Sequence, residues 1–190
     1  MNDHTNLTTH RIRSSTRFHI DAEHETLARL SCSLAITYIM NVKLSTQVKG
    51  NYIDVMKAFD RKLFEALKPS VGKMEIVEFT GSKKGDRVHM QFFSPIKAEW
   101  VSDIVEDSVD ARRAIFIDEG VVLPWPLASW RHKHIVQKID EDSSYIIDDI
   151  TFEGSNFLLS WILYPAIYFG FYPRKKIYKS FFQKSSTNPN

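Results

Sequence analysis

The residues best suited to chemistry fall on one short stretch. Trp130, His132 and His134 are spaced two apart and alternate with Arg131 and Lys133. On a strand, that spacing puts the first three on one face and the basic pair on the other. Lys and Arg keep their charge in water, so the Trp-His-His face is expected to point inward. Two inward imidazoles can hold a ligand's polar group, act as acid and base, or bind a metal ion. A metal site needs further ligands. Asp148 and Asp149 on the next strand, or Glu119 on the one before, could supply them or tune a catalytic His132 or His134. Which of them pairs across depends on register. The plainer reading is a polar network in which the imidazoles bond to cross-strand carboxylates and pack. It outweighs the metal reading, and no metal or cofactor is expected.

Other chemical signals are weak. There is no G-x-S-x-G and no G-x-x-x-x-G-K-[ST]. Gly81-Ser-Lys-Lys-Gly85 has the residues of a hairpin turn. Asp140-Glu-Asp142 reads as a solvated turn.

The elements that must position these side chains are legible from periodicity. Val42, Leu44, Thr46 and Val48 alternate with polar residues, which predicts a half-buried strand. Asn51 then caps a segment with apolar residues from Tyr52 to Leu67 at spacings of three and four, one amphipathic helix or two short ones. Six strands follow, over 73–80, 86–93, 96–106, 112–122, 129–139 and 144–152, separated by turn signals. Short turns between consecutive strands predict an antiparallel meander. Trp100, Phe116 and Ile104 are large groups on neighbouring strands, and Met74 and Met90 are adaptable ones. They suit a core or the wall of a cavity.

The last element is a 20-residue stretch, Gly154 to Pro173, with no charged residue, followed at once by Arg174, Lys175 and Lys176. Its length approaches that of a bilayer span. Pro165 and the polar Ser155, Asn156 and Ser160 argue against a span. The favoured expectation is one long C-terminal helix gripped by the sheet, with Tyr164 and Tyr168 toward the ligand. Its end, through Phe169, Phe171, Tyr172, Arg174, Lys175 and Lys176, is the candidate for peripheral membrane contact.

The 190 residues suffice for one domain with a core, and 25 Lys and Arg against 23 Asp and Glu give no general pull toward nucleic acid. The single Cys excludes an internal disulfide framework. The first 39 residues have no Lys, Gly or Pro but hold four of the seven His. They are read as an N-terminal extension, disordered or a mis-called start with Met40 as initiator. Residues 184–190 are read as a disordered tail. The chain is expected in the cytoplasm.

Six strands and one apolar helix cannot cover one another as flat layers. A curved sheet around the helix is the economical solution. The element order, with Leu123-Pro-Trp-Pro-Leu-Ala-Ser-Trp130-Arg-His132-Lys-His134 and then Tyr145-Ile-Ile-Asp-Asp-Ile, resembles the START-like superfamily, also called SRPBCC or helix-grip. That superfamily includes polyketide cyclase/dehydrase-like proteins and the Bet v 1 allergens. The resemblance implies an α+β helix-grip fold over 40–183, with about seven antiparallel strands around a long C-terminal helix. It also implies a cavity for a hydrophobic or amphipathic small molecule. Trp100, Phe116 and Trp130 would form its wall, and His132 and His134 would hold the ligand's polar end. A cyclase- or dehydratase-type enzyme using a His acid/base in the same cavity is the alternative. A packed interior would instead mark an interaction module without a cavity.

Overall fold

The computed structural model describes residues 38–69, 72–95 and 97–185. Seven strands form one antiparallel sheet: β1 (Met40–Lys49), β2 (Lys73–Phe79), β3 (Arg87–Ser94), β4 (Ala98–Val109), β5 (Arg113–Val122), β6 (Leu127–Lys138) and β7 (Ser143–Gly154). Their order is β1-β7-β6-β5-β4-β3-β2. The chain meanders from β2 to β7, and β1 then closes on β7. The sheet curls into a half-barrel. The expectations for the N-terminal extension and the tail fall almost entirely outside the described residues.

Two short helices carry the chain from β1 to β2, at the opposite edge of the sheet. These are α1 (Tyr52–Lys57) and α2 (Arg61–Ala66). Asn51 caps the first by accepting from Ile53 N at 3.0 Å, and Asp60 starts the second by accepting from Leu63 N at 3.0 Å. An Asp at that position satisfies one of the free N–H groups of a new helix, so the apolar run is cut in two there. Gly50 makes the corner before α1 at φ +122°, a conformation that L side chains rarely adopt.

The expected single C-terminal helix is two. The first is α3 (Phe157–Phe171) and the second α4 (Arg174–Ser185). Asn156 caps α3 by accepting from Leu159 N at 3.0 Å. Pro173 has no N–H to continue the ladder, so the run breaks after Phe171. The corner between β7 and α3 is tight. A side chain on Gly154 would meet the backbone N of Ser160 at 2.6 Å.

The concave face of the sheet is covered in two parts. Toward one end, Tyr178 and Phe182 of α4 pack with Val55, Phe59, Leu63, Phe116, Val136 and Ile146. Toward the other, Leu163, Ile167 and Phe171 of α3 pack on Val42, Leu44, Trp130, Ile150 and Phe152. The grip is thus shared, with α4 supplying the fully buried Tyr178. Among the described residues, no helix is long and apolar enough to cross a membrane.

Candidate functional site

Between the sheet and its helices lies a cavity of about 380 Å³. Its walls come from α2 and the segment after it (Leu63, Leu67), β2–β3 (Met74, Val88, Met90), β4–β6 (Trp100, Phe116, Trp130) and α3 (Ile167, Phe171). Trp100, Phe116, Trp130, His132 and His134 all line it, as do Met74 and Met90. The cavity-less reading does not fit this interior. Ala166 and Gly170 line the space yet remain exposed, which places them at its mouth.

One wall is polar. His132 stands opposite Asp118 on β5, and His134 stands opposite Asp148 on β7. Each imidazole bonds to the carboxylate opposite the other. His134 Nε2 lies 3.0 Å from Asp118 Oδ2, and His132 Nε2 lies 3.1 Å from Asp148 Oδ1. Diagonal neighbours on a twisted antiparallel sheet are within reach of long side chains, which permits this crossing. The remaining ring nitrogen of His132, Nδ1, is 3.5 Å from Asp118 Oδ2. Outer groups hold the carboxylates in place. The Trp130 indole donates to Asp118 Oδ1 at 3.0 Å, and the Tyr178 hydroxyl donates to Asp148 Oδ1 at 3.3 Å. The two imidazoles touch, with ring centres 3.7 Å apart, and Phe116 stacks on His134 at 4.1 Å. Phe171 meets His132 edge-on at 5.3 Å, and Arg174 lies over the Phe171 ring at 3.8 Å.

All four members of the network are buried. Burial pushes His134 down, and the charge of His132 pushes the same way; together they outweigh the Asp118 bond and bring the imidazole to about 4. Burial would raise Asp148, but the bond from His132 and the fields of His132 and Arg174 overcome it and hold the carboxyl at about 2. Asp118 is also lowered against its burial, by its bond to His134 and by the nearby imidazoles and indole. Burial and the Asp148 charge push the Tyr178 hydroxyl up. At neutral pH both carboxylates are therefore ionised and His134 is neutral. An ionised carboxylate only accepts, so the His134 proton sits on Nε2. His134 Nδ1 is then a bare lone pair, buried and without a hydrogen-bond partner.

The placement corrects several expectations. Glu119 and Asp149 point to the outer face. Glu119 pairs with Arg131, and Asp149 pairs with Lys43 at 3.5 Å and accepts from Asn41 at 2.9 Å. Adjacent residues on a strand face opposite ways, so Asp148 and Asp149 cannot share the site. The carboxylate from β5 is Asp118, which the motif reading passed over. Its signal was present: it lies two residues after the inward Phe116. Tyr164 and Tyr168 do not line the cavity. Tyr164 is turned toward solvent, and Tyr168 packs against the core from outside. The helix period puts Leu163, Ile167 and Phe171 inward instead. Phe171 and Arg174, assigned to a surface patch, border the cavity. Tyr178 and Arg174 belong to the site through α4, an element that periodicity did not separate from α3.

This architecture, a curled antiparallel sheet closed by C-terminal helices over a lined cavity, is the helix-grip fold of the START/SRPBCC, Bet v 1-like proteins. No family model matches the chain, and no curated protein matches it by sequence. Solved structures do. A hypothetical protein from Helicobacter pylori matches with a TM-score of 0.58 and 14% identity over 94% of this chain and 99% of the other. Norcoclaurine synthase from Thalictrum flavum, in complex with dopamine and hydroxybenzaldehyde, matches at 0.52 and 15% identity over 87% of each chain. A solution structure from Thermobifida fusca matches at 0.50 and 18% identity over 68% of this chain and 83% of the other. At these identities the likeness is one of fold.

Proposed function

We propose that the protein encloses a small apolar molecule that carries one polar group. The observation that carries this reading is the asymmetry of the cavity. Most of its lining is apolar, and beside Asp60, Ser82 and Ser102 its polar groups are the bonded cluster of Asp118, His132 and His134 with Arg174. Its volume falls in the range of small-molecule sites, and a few convergent polar groups in an apolar pocket fix a ligand's orientation. The apolar part gains by leaving water, and the polar group replaces its lost hydration with bonds to the network. Native mass spectrometry of freshly purified protein, with extraction of what co-purifies, tests this. A bound small molecule released on denaturation is expected. Repeatedly empty preparations, with no lipid or aromatic compound raising the melting temperature, count against it.

The outward face of α3 fits a membrane surface as the place where such a molecule is exchanged. Leu158, Trp161, Ile162 and Phe169 are each more than half exposed, and Trp125 is 78% exposed. The loop holding Trp125 adjoins the start of α3, where Ser155 N donates to Pro126 O at 2.8 Å. From Gly154 to Asn190 the chain carries five Lys and Arg and no Asp or Glu. Apolar and aromatic groups beside a basic cluster match an anionic bilayer interface. The contact thus runs through Leu158, Trp161, Ile162, Phe169, Tyr172, Lys175 and Lys176, with Phe171 and Arg174 turned inward.

A second reading is favoured by the bare Nδ1 of His134. A neutral imidazole whose other nitrogen is held by a carboxylate is the arrangement of a general base. In a cyclase- or dehydratase-type enzyme, His134 or His132 would move the proton of a substrate seated in the same cavity. Conversion of a co-purifying compound by the wild type, lost in His134→Gln with binding retained, is the outcome that supports it. Equal conversion by the variant removes it.

A further inference from the structure

We infer that Asp118, His132 and His134 form a binding site for a first-row divalent transition-metal ion, with an open coordination position facing the cavity. This departs from the expectation drawn from the sequence. It does not depend on the enclosed-ligand reading, because the metal alone is the probe.

The three residues each offer one ligand atom, and these atoms lie within 4.8 Å of one another. Asp118 Oδ2 is 3.0 Å from His134 Nε2 and 3.5 Å from His132 Nδ1. Donor atoms bound at about 2.1 Å around a tetrahedral ion are about 3.4 Å apart, so the two edges already have the size that an ion requires. Two imidazoles and a carboxylate suit Zn²⁺ or Fe²⁺ better than Mg²⁺ or Ca²⁺, which prefer oxygen. All three residues line the cavity, so a fourth ligand, water or the polar group of an enclosed molecule, can reach the ion.

The surroundings have the form of an outer shell. Metal-bound imidazoles characteristically donate their other N–H to a carboxylate, which fixes the ring. With His132 Nδ1 on the ion, its Nε2 donates to Asp148 Oδ1 at 3.1 Å, and Tyr178 braces the same oxygen at 3.3 Å. With Asp118 Oδ2 on the ion, Oδ1 accepts from Trp130 at 3.0 Å. The ion also changes what the unpartnered nitrogen of His134 presents to its neighbour. If His134 Nε2 coordinates, the ring proton moves to Nδ1. That atom then faces Asp148 Oδ1, 3.8 Å away, as a donor rather than as a second lone pair. Without an ion, one buried ring nitrogen has no partner.

The test uses the full chain with His4, His10, His19, His24 and His89 changed to Gln, which leaves His132 and His134 as its only imidazoles. After chelator treatment, Co²⁺ is titrated and followed by visible absorption, and Zn²⁺ affinity is measured by competition with a chromophoric chelator. One equivalent is expected, with the absorption of a four- or five-coordinate ion. Asp118→Asn keeps the shape and an acceptor for Trp130 but loses the anionic ligand, and should weaken binding by about 100-fold or more. Asp148→Asn removes only the outer support, and should weaken it by about 10- to 100-fold. Absence of a bound equivalent, or equal affinity in folded Asp118→Asn, overturns the proposal. Should that variant not fold, NMR of the parent chain decides. One equivalent of Zn²⁺ must shift the ring signals of both His132 and His134, and unmoved signals overturn the site.

Discussion

Asp118 and His134 sit on neighbouring strands but are not directly opposed, and their side chains meet on the diagonal at 3.0 Å. The same carboxylate accepts the Trp130 indole at 3.0 Å through its other oxygen. Asp118 therefore satisfies two buried donors at once. Asp118→Ala strands both and should cost about 2–6 kcal/mol, since each buried donor left without a partner costs about 1–3 kcal/mol. Asp118→Asn keeps one acceptor and should cost about 1–3 kcal/mol. Urea unfolding of the metal-free proteins measures both, and equal stability of the Ala variant and wild type contradicts the role given to Asp118.

Acid should destabilise the metal-free fold well before surface carboxylates titrate. His134 is lowered from 6.5 to about 4, so the unfolded chain binds its proton more readily than the folded one between these values. Stability is full above about 6.5 and falls as pH drops toward 4, by about 3 kcal/mol from this group. Asp148, held at about 2 against 3.8, adds a loss below about 4 in the same direction. Ring signals in chelator-treated protein check the first step. The His134 imidazole should still be neutral at about pH 5.5, and an ordinary titration near 6.5 would falsify the assignment.

Gly170 separates helix stability from access to the cavity. A Cβ there meets nothing within 4 Å. Gly170→Ala should stabilise the protein by about 1 kcal/mol through helix propensity, with ligand uptake unchanged. Gly170→Trp places a large ring at the mouth and should slow uptake of a fluorescent apolar probe at least several-fold, without loss of stability. Uptake at wild-type speed would mean that the mouth lies elsewhere.

The outward face of α3 makes a separate prediction. Trp161→Glu with Phe169→Glu should abolish flotation with vesicles of phosphatidylcholine and phosphatidylglycerol. Lys175→Glu with Lys176→Glu should weaken it in a salt-dependent manner. Full flotation of the first variant rules out this contact. Loss of a dimer in that variant would assign the face to a second copy of the chain.

Much of this molecule is legible in the chain itself. Alternation over 42–48 and 129–139 marks strands and sorts their faces, because side chains on a strand point to opposite sides in turn. The same rule put Trp130, His132 and His134 inward, and it would have put Asp118 with Phe116 and excluded Glu119. Tertiary structure decided the rest. Whether His132 bonds to the carboxylate opposite it or to the one on the diagonal depends on register and twist, which arise from pairing across many residues. Pro173 already marks the division of α3 from α4 in the chain, but the inward turn of Phe171, Arg174 and Tyr178 depends on how an apolar helix with no polar face finds the concave sheet. Its own pattern does not say which side is covered. A hollow and a filled interior use the same apolar residues, so only their packing distance creates the cavity.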